Sequence, residues 1–314
     1  MKYNIRSLML LKGTEKGNNN NTKTNKMKTL IKSFTLIIAF LLTASIGYSQ
    51  GDIITAKDFG KAIKDKNTIV VSAQSKKNYG VSHIKGAIHL DHKLLYKDGK
   101  PEGVIKSPEE LAKILGGLGI SNTNNIIVYD GAKDKYAGRV YWILKYLGAE
   151  NVSLLEKDMK AWRAARVPLT KAPAKGKATT FTPNVNNDIM VDMAWVKSHL
   201  KDANVVIVDV REVTEFTGTS TKNPSPGHIT GAVNLNWETL VNDKGVLKDK
   251  ATLESLFKSA GITSDKTIVF YCATSVRAGL PFFVTKTILA FPNVKVYDGA
   301  INEWKETASN PIEK

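Results

Sequence analysis

A single cysteine, Cys272, follows the short apolar run Thr267-Ile-Val-Phe-Tyr271 and stands five positions before Arg277. The residues between them, Ala273, Thr274, Ser275 and Val276, lead into a stretch with helical character, Val276 to Leu289. A loop running from a strand end into a helix turns backbone N–H groups inward and adds the helix dipole, an arrangement that holds anions. A thiol at such a place is expected to favour its thiolate, and Arg277 adds a permanent cation. A lone cysteine at a strand end is otherwise a core residue; here the loop and the arginine favour chemistry. One cysteine in 314 residues excludes an intramolecular disulfide, a multi-cysteine metal site and a resolving thiol within the chain. Loop length then separates two chemistries. Five residues between Cys and Arg fit a tetrahedral phosphate, whereas the four here make a smaller cradle suited to a terminal sulfur carried on Cys272. Phosphatase or arsenate reductase chemistry is therefore the less favoured reading.

The elements that must position this loop occur twice. Tyr79-Gly-Val-Ser-His83-Ile-Lys-Gly86-Ala-Ile-His-Leu90 is echoed by Pro226-Gly-His228-Ile-Thr-Gly231-Ala-Val-Asn-Leu235. Farther on, each copy has an apolar strand, Ile126 to Tyr129 and Thr267 to Tyr271, then a helical stretch, Tyr136 to Leu147 and Val276 to Leu289. Second strands, Val152 to Leu155 and Val294 to Tyr297, lead to Trp162 and Trp304. Short apolar strands alternating with helices predict α/β folding, with mostly parallel sheets covered by helices on both faces. The stretch 167–187, rich in Pro, Gly, Lys and Thr, reads as a linker between a domain at 51–166 and a second at 188–310. Asp130 stands in the first copy where Cys272 stands in the second. A carboxylate cannot accept sulfur, so the first domain is expected to be inactive and to shape the entrance. His83, His89 and His92 read as turn and surface residues rather than metal ligands.

Charge adds little. The net +16 divides into +7 over residues 1–49 and +9 over the rest, where the lysines are scattered and carry no interleaved aromatic stripe. Solvated surface is expected, with no nucleic-acid partner, though a mildly basic body attracts small anions. Lys26, Lys28 and Lys32, the apolar run Phe34 to Leu42 and the Gly47-Tyr48-Ser49 pattern form the layout of a secretory signal peptide. The apolar run is shorter than the roughly 20 residues of a spanning helix, so a retained anchor is the second reading and no stable membrane insertion is expected after cleavage. An exported protein, periplasmic or secreted, follows, with translation beginning at Met1 or Met27.

These residues resemble the rhodanese family in its tandem-domain form, over nearly the whole chain after the leader. The resemblance rests on Tyr271-Cys-Ala-Thr-Ser-Val-Arg277-Ala, on Asp209-Val-Arg211-Glu212 with Gly227-His-Ile-Thr-Gly-Ala232, and on Val294-Lys-Val-Tyr-Asp-Gly299-Ala-Ile-Asn-Glu303-Trp304. Ile301 stands where an aromatic is usual. The resemblance implies a sulfurtransferase in which Cys272 is catalytic and carries a persulfide. Its donor is a small anion such as thiosulfate, its acceptor cyanide or a thiol, and no metal or organic cofactor is needed. Backbone N–H groups of Ala273, Thr274, Ser275, Val276 and Arg277 would hold the persulfide, the Thr274 and Ser275 hydroxyls would add donors, and Arg277 would hold the donor's charge. Arg211 reads as a buried ion-pair partner ahead of a substrate ligand. Glu215 stands where the two-domain enzymes usually place a substrate-binding Arg, and the loop lacks the mercaptopyruvate branch's pattern. Mercaptopyruvate is accordingly a weaker expectation than thiosulfate or polysulfide. A sulfur carrier serving a protein partner and a non-catalytic binding scaffold stand as alternatives.

Overall fold

The computed structural model describes residues 53–314 except 132 and 134. The expected leader over 1–49 and the expected domain start at Gly51 lie outside the described residues.

The chain first forms β1 (Ile53–Ile54), α1 (Ala56–Ala62), β2 (Thr68–Ser72), α2 (Lys76–Val81), β3 (His83–Ile84) and β4 (Ile88–His89). Then come α3 (Pro108–Gly117), β5 (Asn125–Tyr129), α4 (Lys135–Tyr146), β6 (Asn151–Leu155), α5 (Met159–Ala164) and β7 (Leu169–Thr170). The second half repeats the series with β8 (Met190–Val191), α6 (Met193–Ser198), β9 (Val205–Asp209), α7 (Val213–Phe216), β10 (His228–Ile229) and β11 (Val233–Asn234). It ends with α8 (Lys250–Ser259), β12 (Thr267–Tyr271), α9 (Gly279–Phe283), β13 (Val294–Tyr297), α10 (Ala300–Trp304) and β14 (Ile312–Glu313).

Each half builds one five-stranded sheet, ordered β1-β6-β5-β2-β4 in the first and β11-β9-β12-β13-β8 in the second, with every pairing parallel. The most uniformly apolar strands, β5 and β12, take the centre, as burial on both faces requires. Ligands in parallel α/β sheets bind beyond the carboxyl ends of strands, and there lie Asp130 and Cys272. A short antiparallel pair closes each half, β3 with β7 and β10 with β14.

The stretch read as a linker is packed rather than loose. Thr179 N–H donates to Gly116 O, Asn184 N–H donates to Leu147 O, and Phe181 is buried. The two sheets share one apolar cluster that includes Val140, Trp142, Leu280 and Phe282. Helices α4 and α9 cross where Gly138 and Gly279 meet. A Cβ on Gly138 would lie 2.5 Å from Leu280 N, and one on Gly279 2.4 Å from Arg139 N. Both obstacles are backbone, so only glycine permits the approach.

A buried ion pair fastens the same boundary. The fully buried Arg139 on α4 donates to Asp298, which follows β13, at 2.6 Å, and to Gly103 O at 2.8 Å. Asp298 also accepts from Ile105 N–H at 2.9 Å. The turn at Gly103 thereby rests on the cysteine loop, where a Cβ would lie 2.6 Å from Thr274 Cβ. Gly103 has φ +94°, a second reason for glycine there.

Candidate active site

Cys272 is the residue after β12 and has no solvent exposure. Its loop is anchored through carbonyls: Ile301 N–H donates to Cys272 O at 3.1 Å and Asn302 N–H to Ala273 O at 3.3 Å. The N–H groups of residues 273–278, by contrast, have no protein acceptor among the described residues. Ser275 takes φ +55°, uncommon for a residue with a side chain, and its buried hydroxyl donates to Tyr297 O. That bond holds the bend and corrects the expectation for Ser275, whose hydroxyl is not available to a substrate. Thr274 keeps a hydroxyl without a hydrogen-bond partner among the described residues. The helix begins at Gly279 rather than near Val276, because the loop uses residues 276–278 to complete its turn. Past Phe283 it widens into a π turn over Val284–Ile288, with Thr285 Oγ1 donating to Pro281 O at 2.6 Å.

The first half supplies an internal comparison. Asp130, at the matching strand end, accepts from Tyr136 N–H at 2.7 Å and from Ala137 N–H at 3.0 Å through Oδ2. A carboxylate oxygen thus occupies the start of α4, an anion seated on backbone donors. In the second half the matching strand-end position carries a sulfur, and the loop donors are free.

Arg277 lies close to the thiol but is not free. Its guanidinium meets Glu215 of α7 in a two-point contact, Nη1 to Oε2 at 2.6 Å and Nη2 to Oε1 at 3.0 Å. Glu215 is almost wholly buried, and the Arg277 side chain is 18% exposed. Burial pushes the Glu215 carboxyl up, but the hydrogen bonds and charge of Arg277 outweigh it and hold it below its usual range. Burial likewise opposes charge on Arg277, while the Cys272 sulfur and Glu215 hold its pKa above its ordinary value.

The Arg211 guanidinium makes five hydrogen bonds, to Asp209, Ser225 and Gly227 O, with a side chain only 1% exposed. It braces the end of β9 from the cavity wall, with its guanidinium already held by protein groups. The ion-pair reading of Arg211 describes these contacts.

A cavity of about 690 Å³ opens over the loop between the two halves. His92, Lys135 and Tyr136 line it from the first half; Glu212, Glu215, Lys222, Trp237, Thr274, Arg277 and Lys305 line it from the second. Of the histidines read as turn and surface residues, His83 is buried, which corrects that reading, whereas the half-buried His92 opens the turn His92–Leu95 at the cavity wall. The His92 ring stacks on Tyr136 at 4.3 Å, and Nδ1 lies 2.7 Å from the Tyr96 hydroxyl. Burial, with Arg139 and two lysines nearby, pushes its pKa down to about 4 despite Asp91, leaving the ring neutral at pH 7. His83 and His89 are engaged elsewhere, with Tyr79 O, Ala172 O and Gln74 O. Among the described residues no group of three or more His, Cys, Asp or Glu is placed to hold a metal ion. No helix among them is long and apolar enough to cross a membrane.

Sequence reasoning found the cysteine loop because it is contiguous. It missed His92 as a wall of the cavity, and it missed the embrace of Arg277 by Glu215, 62 positions apart. The signal for the second was present, an acid standing at a position where a base is usual.

Paired parallel-sheet halves, one ending its central strand on a carboxylate and the other on a thiol whose loop N–H groups have no protein acceptor among the described residues, define a tandem α/β protein with one cysteine. The family model described as Rhodanese-like domain matches residues 55–165 and 192–307, and the chain belongs to that family. It is 31% identical over 283 residues to a sulfur carrier protein, TtuD, of Thermus thermophilus, covering 86% of this chain and 99% of that protein. It is 29% identical to a thiosulfate sulfurtransferase of Azotobacter vinelandii, over 83% and 96% of the two chains. Among solved structures, the SseA protein of Escherichia coli, described as a 3-mercaptopyruvate sulfotransferase, matches with TM-score 0.72 and 27% identity, over 79% and 98% of the chains. The protein is a sulfurtransferase.

Proposed function

We propose that the chain moves sulfane sulfur in two steps through a persulfide on Cys272, from thiosulfate to cyanide or a thiol. The Cys272 thiolate attacks the outer sulfur of thiosulfate; the S–S bond of the donor breaks and sulfite leaves with its electron pair. Cyanide or a thiolate then attacks the outer sulfur of Cys272–S–S⁻ and restores the thiolate, a covalent ping-pong cycle. The observation that carries this reading is the exchange of Asp130 for Cys272 between two matching loops. Where Asp130 stands, a fixed carboxylate takes the backbone donors. Around Cys272 those donors are unspent, and a terminal persulfide sulfur is the anion they would receive. Thr274 contributes a further hydroxyl. Steady-state kinetics with thiosulfate and cyanide both varied are expected to give parallel double-reciprocal lines, with thiocyanate formation abolished in Cys272→Ser. Intersecting lines, or a Cys272→Ser enzyme of undiminished rate, would overturn the scheme.

A second reading, delivery of the sulfur to a protein partner, is favoured by the size of the cavity, which is larger than any small inorganic acceptor requires. Mercaptopyruvate fits less well, since its carboxylate needs a free cation and both Arg211 and Arg277 are engaged. On the pattern of residues 26–49, export is part of the same proposal.

A further inference from the structure

Resting on the persulfide reading, we infer that Glu215 is a specificity-determining residue. It withholds Arg277 from the donor, which leaves thiosulfate a working but slow donor and shifts the site's preference toward organic persulfides whose charged groups lie away from the sulfane sulfur. Two ion pairs and the charge of thiosulfate converge on this. Arg277 is the guanidinium beside the thiol, and both of its outer nitrogens are taken by Glu215. Arg211, the next guanidinium in the cavity wall, is taken by Asp209. Thiosulfate concentrates two negative charges within one small ion, so its sulfur cannot reach Cys272 without bringing its sulfonate to this neutralised corner. There it must displace Glu215 or face its carboxylate with no unpaired guanidinium to offset it.

The rim is basic on balance: three lysines stand there against Glu212, while the other acid at the edge, Glu238, is paired with Lys133. Lys222 and Lys305 are exposed at the cavity edge and make no ion pair among the described residues. Lys135 joins them from the other half, its ammonium 4.8 Å from the centre of the Tyr136 ring. At about 690 Å³ the cavity has the volume of a site for a multi-functional organic molecule. A persulfide R–S–SH with carboxylates several bonds from its sulfur matches this division. The carboxylates meet the lysines, and the sulfane end, which reacts in its protonated form R–S–SH, brings no sulfonate to the floor. The transfer balances: the thiolate bonds the outer sulfur, the S–S bond of the donor breaks, and RS⁻ departs with the electron pair, leaving Cys272–S–SH.

The test is rapid-quench intact mass of the mature protein, reading the second-order rate of sulfur addition from thiosulfate and from glutathione persulfide. The wild-type protein is expected to react at least about tenfold faster with glutathione persulfide, one unit charge's worth of discrimination at a partly screened site. Glu215→Gln is expected to raise the thiosulfate rate about tenfold and shrink that preference. Lys222→Ala/Lys305→Ala is expected to slow glutathione persulfide several-fold more than thiosulfate. Wild-type preference for thiosulfate overturns the proposal even if Glu215→Gln does not fold, and so does an unchanged ratio in a folded Glu215→Gln. If wild type gains sulfur from neither donor, the persulfide reading itself has failed and the selector falls with it.

Discussion

Removing Asp298 should loosen the protein at the boundary that covers the thiol. Its carboxylate serves Arg139 from α4 and Ile105 N–H from the turn leaning on Thr274. Arg139 is wholly buried, and among the described residues its Nε and Nη1 lack hydrogen-bond partners and Asp298 is its one carboxylate partner. The rest of the guanidinium lies against aromatic faces, 4.7 Å from the Trp142 ring and 5.4 Å from Tyr96. Asp298→Ala strands a charge where water cannot reach it, at a cost of about 3–5 kcal/mol. For a chain of this size that is a fall in Tm of roughly 6–20 °C. Adding Arg139→Met removes the stranded charge and keeps most of the apolar contact, so the double variant should recover part of the loss. Thermal unfolding reads both, and the rate of Cys272 modification by a colorimetric disulfide reagent should rise in the single variant as the Gly103 turn lifts. A single variant within about 1 °C of wild type, or a double variant less stable than the single, would refute the stranded-charge argument.

Other outcomes follow from the same contacts. Gly279→Ala drives a methyl group into the α4 backbone, and thermal unfolding should show a loss of about 1–3 kcal/mol or more. Arg211→Met leaves Asp209 buried without its partner; the expected result is a loss of about 3–5 kcal/mol, with KM for thiosulfate changed less than stability among molecules that remain folded. His92 is neutral in the fold down to about pH 4 and near 6.5 when unfolded, so the unfolded state binds the extra proton between those values. Stability should therefore fall as pH drops from about 6.5 to 4, by at most about 1.4 kcal/mol per pH unit, and His92→Phe should flatten that slope in melts taken across the range.

What the sequence discloses is local or repeated. The strands β5 and β12 announce themselves as unbroken apolar runs between polar turns, and the recurrence of the whole series displays two similar halves. Cys272 and Arg277 share one loop, so their proximity is written in their spacing. The contacts that qualify their chemistry are not written that way. Glu215 meets Arg277 only because α7 and the loop beyond β12 end on the same edge of the sheet, and Arg139 finds Asp298 across 159 positions. His92 carries no mark distinguishing it from His89, and only the meeting of the two halves turns one of them toward the cavity. Residues 167–187 show the same limit: Pro, Gly and Lys mark a connecting stretch, and nothing in that composition tells that it packs as an extended strap. Ser275 is the subtlest case, since a serine in an anion loop reads as a donor until the backbone bend spends its hydroxyl on Tyr297.

The central claim, that Cys272 carries the transferred sulfur, is tested most directly by the intact mass of the mature protein after exposure to thiosulfate, with sulfite measured alongside. The account predicts a gain of one sulfur atom, matched by one sulfite released, and no gain in Cys272→Ser. A folded wild-type protein with a free thiol that gains no sulfur from thiosulfate, polysulfide or an organic persulfide would contradict it.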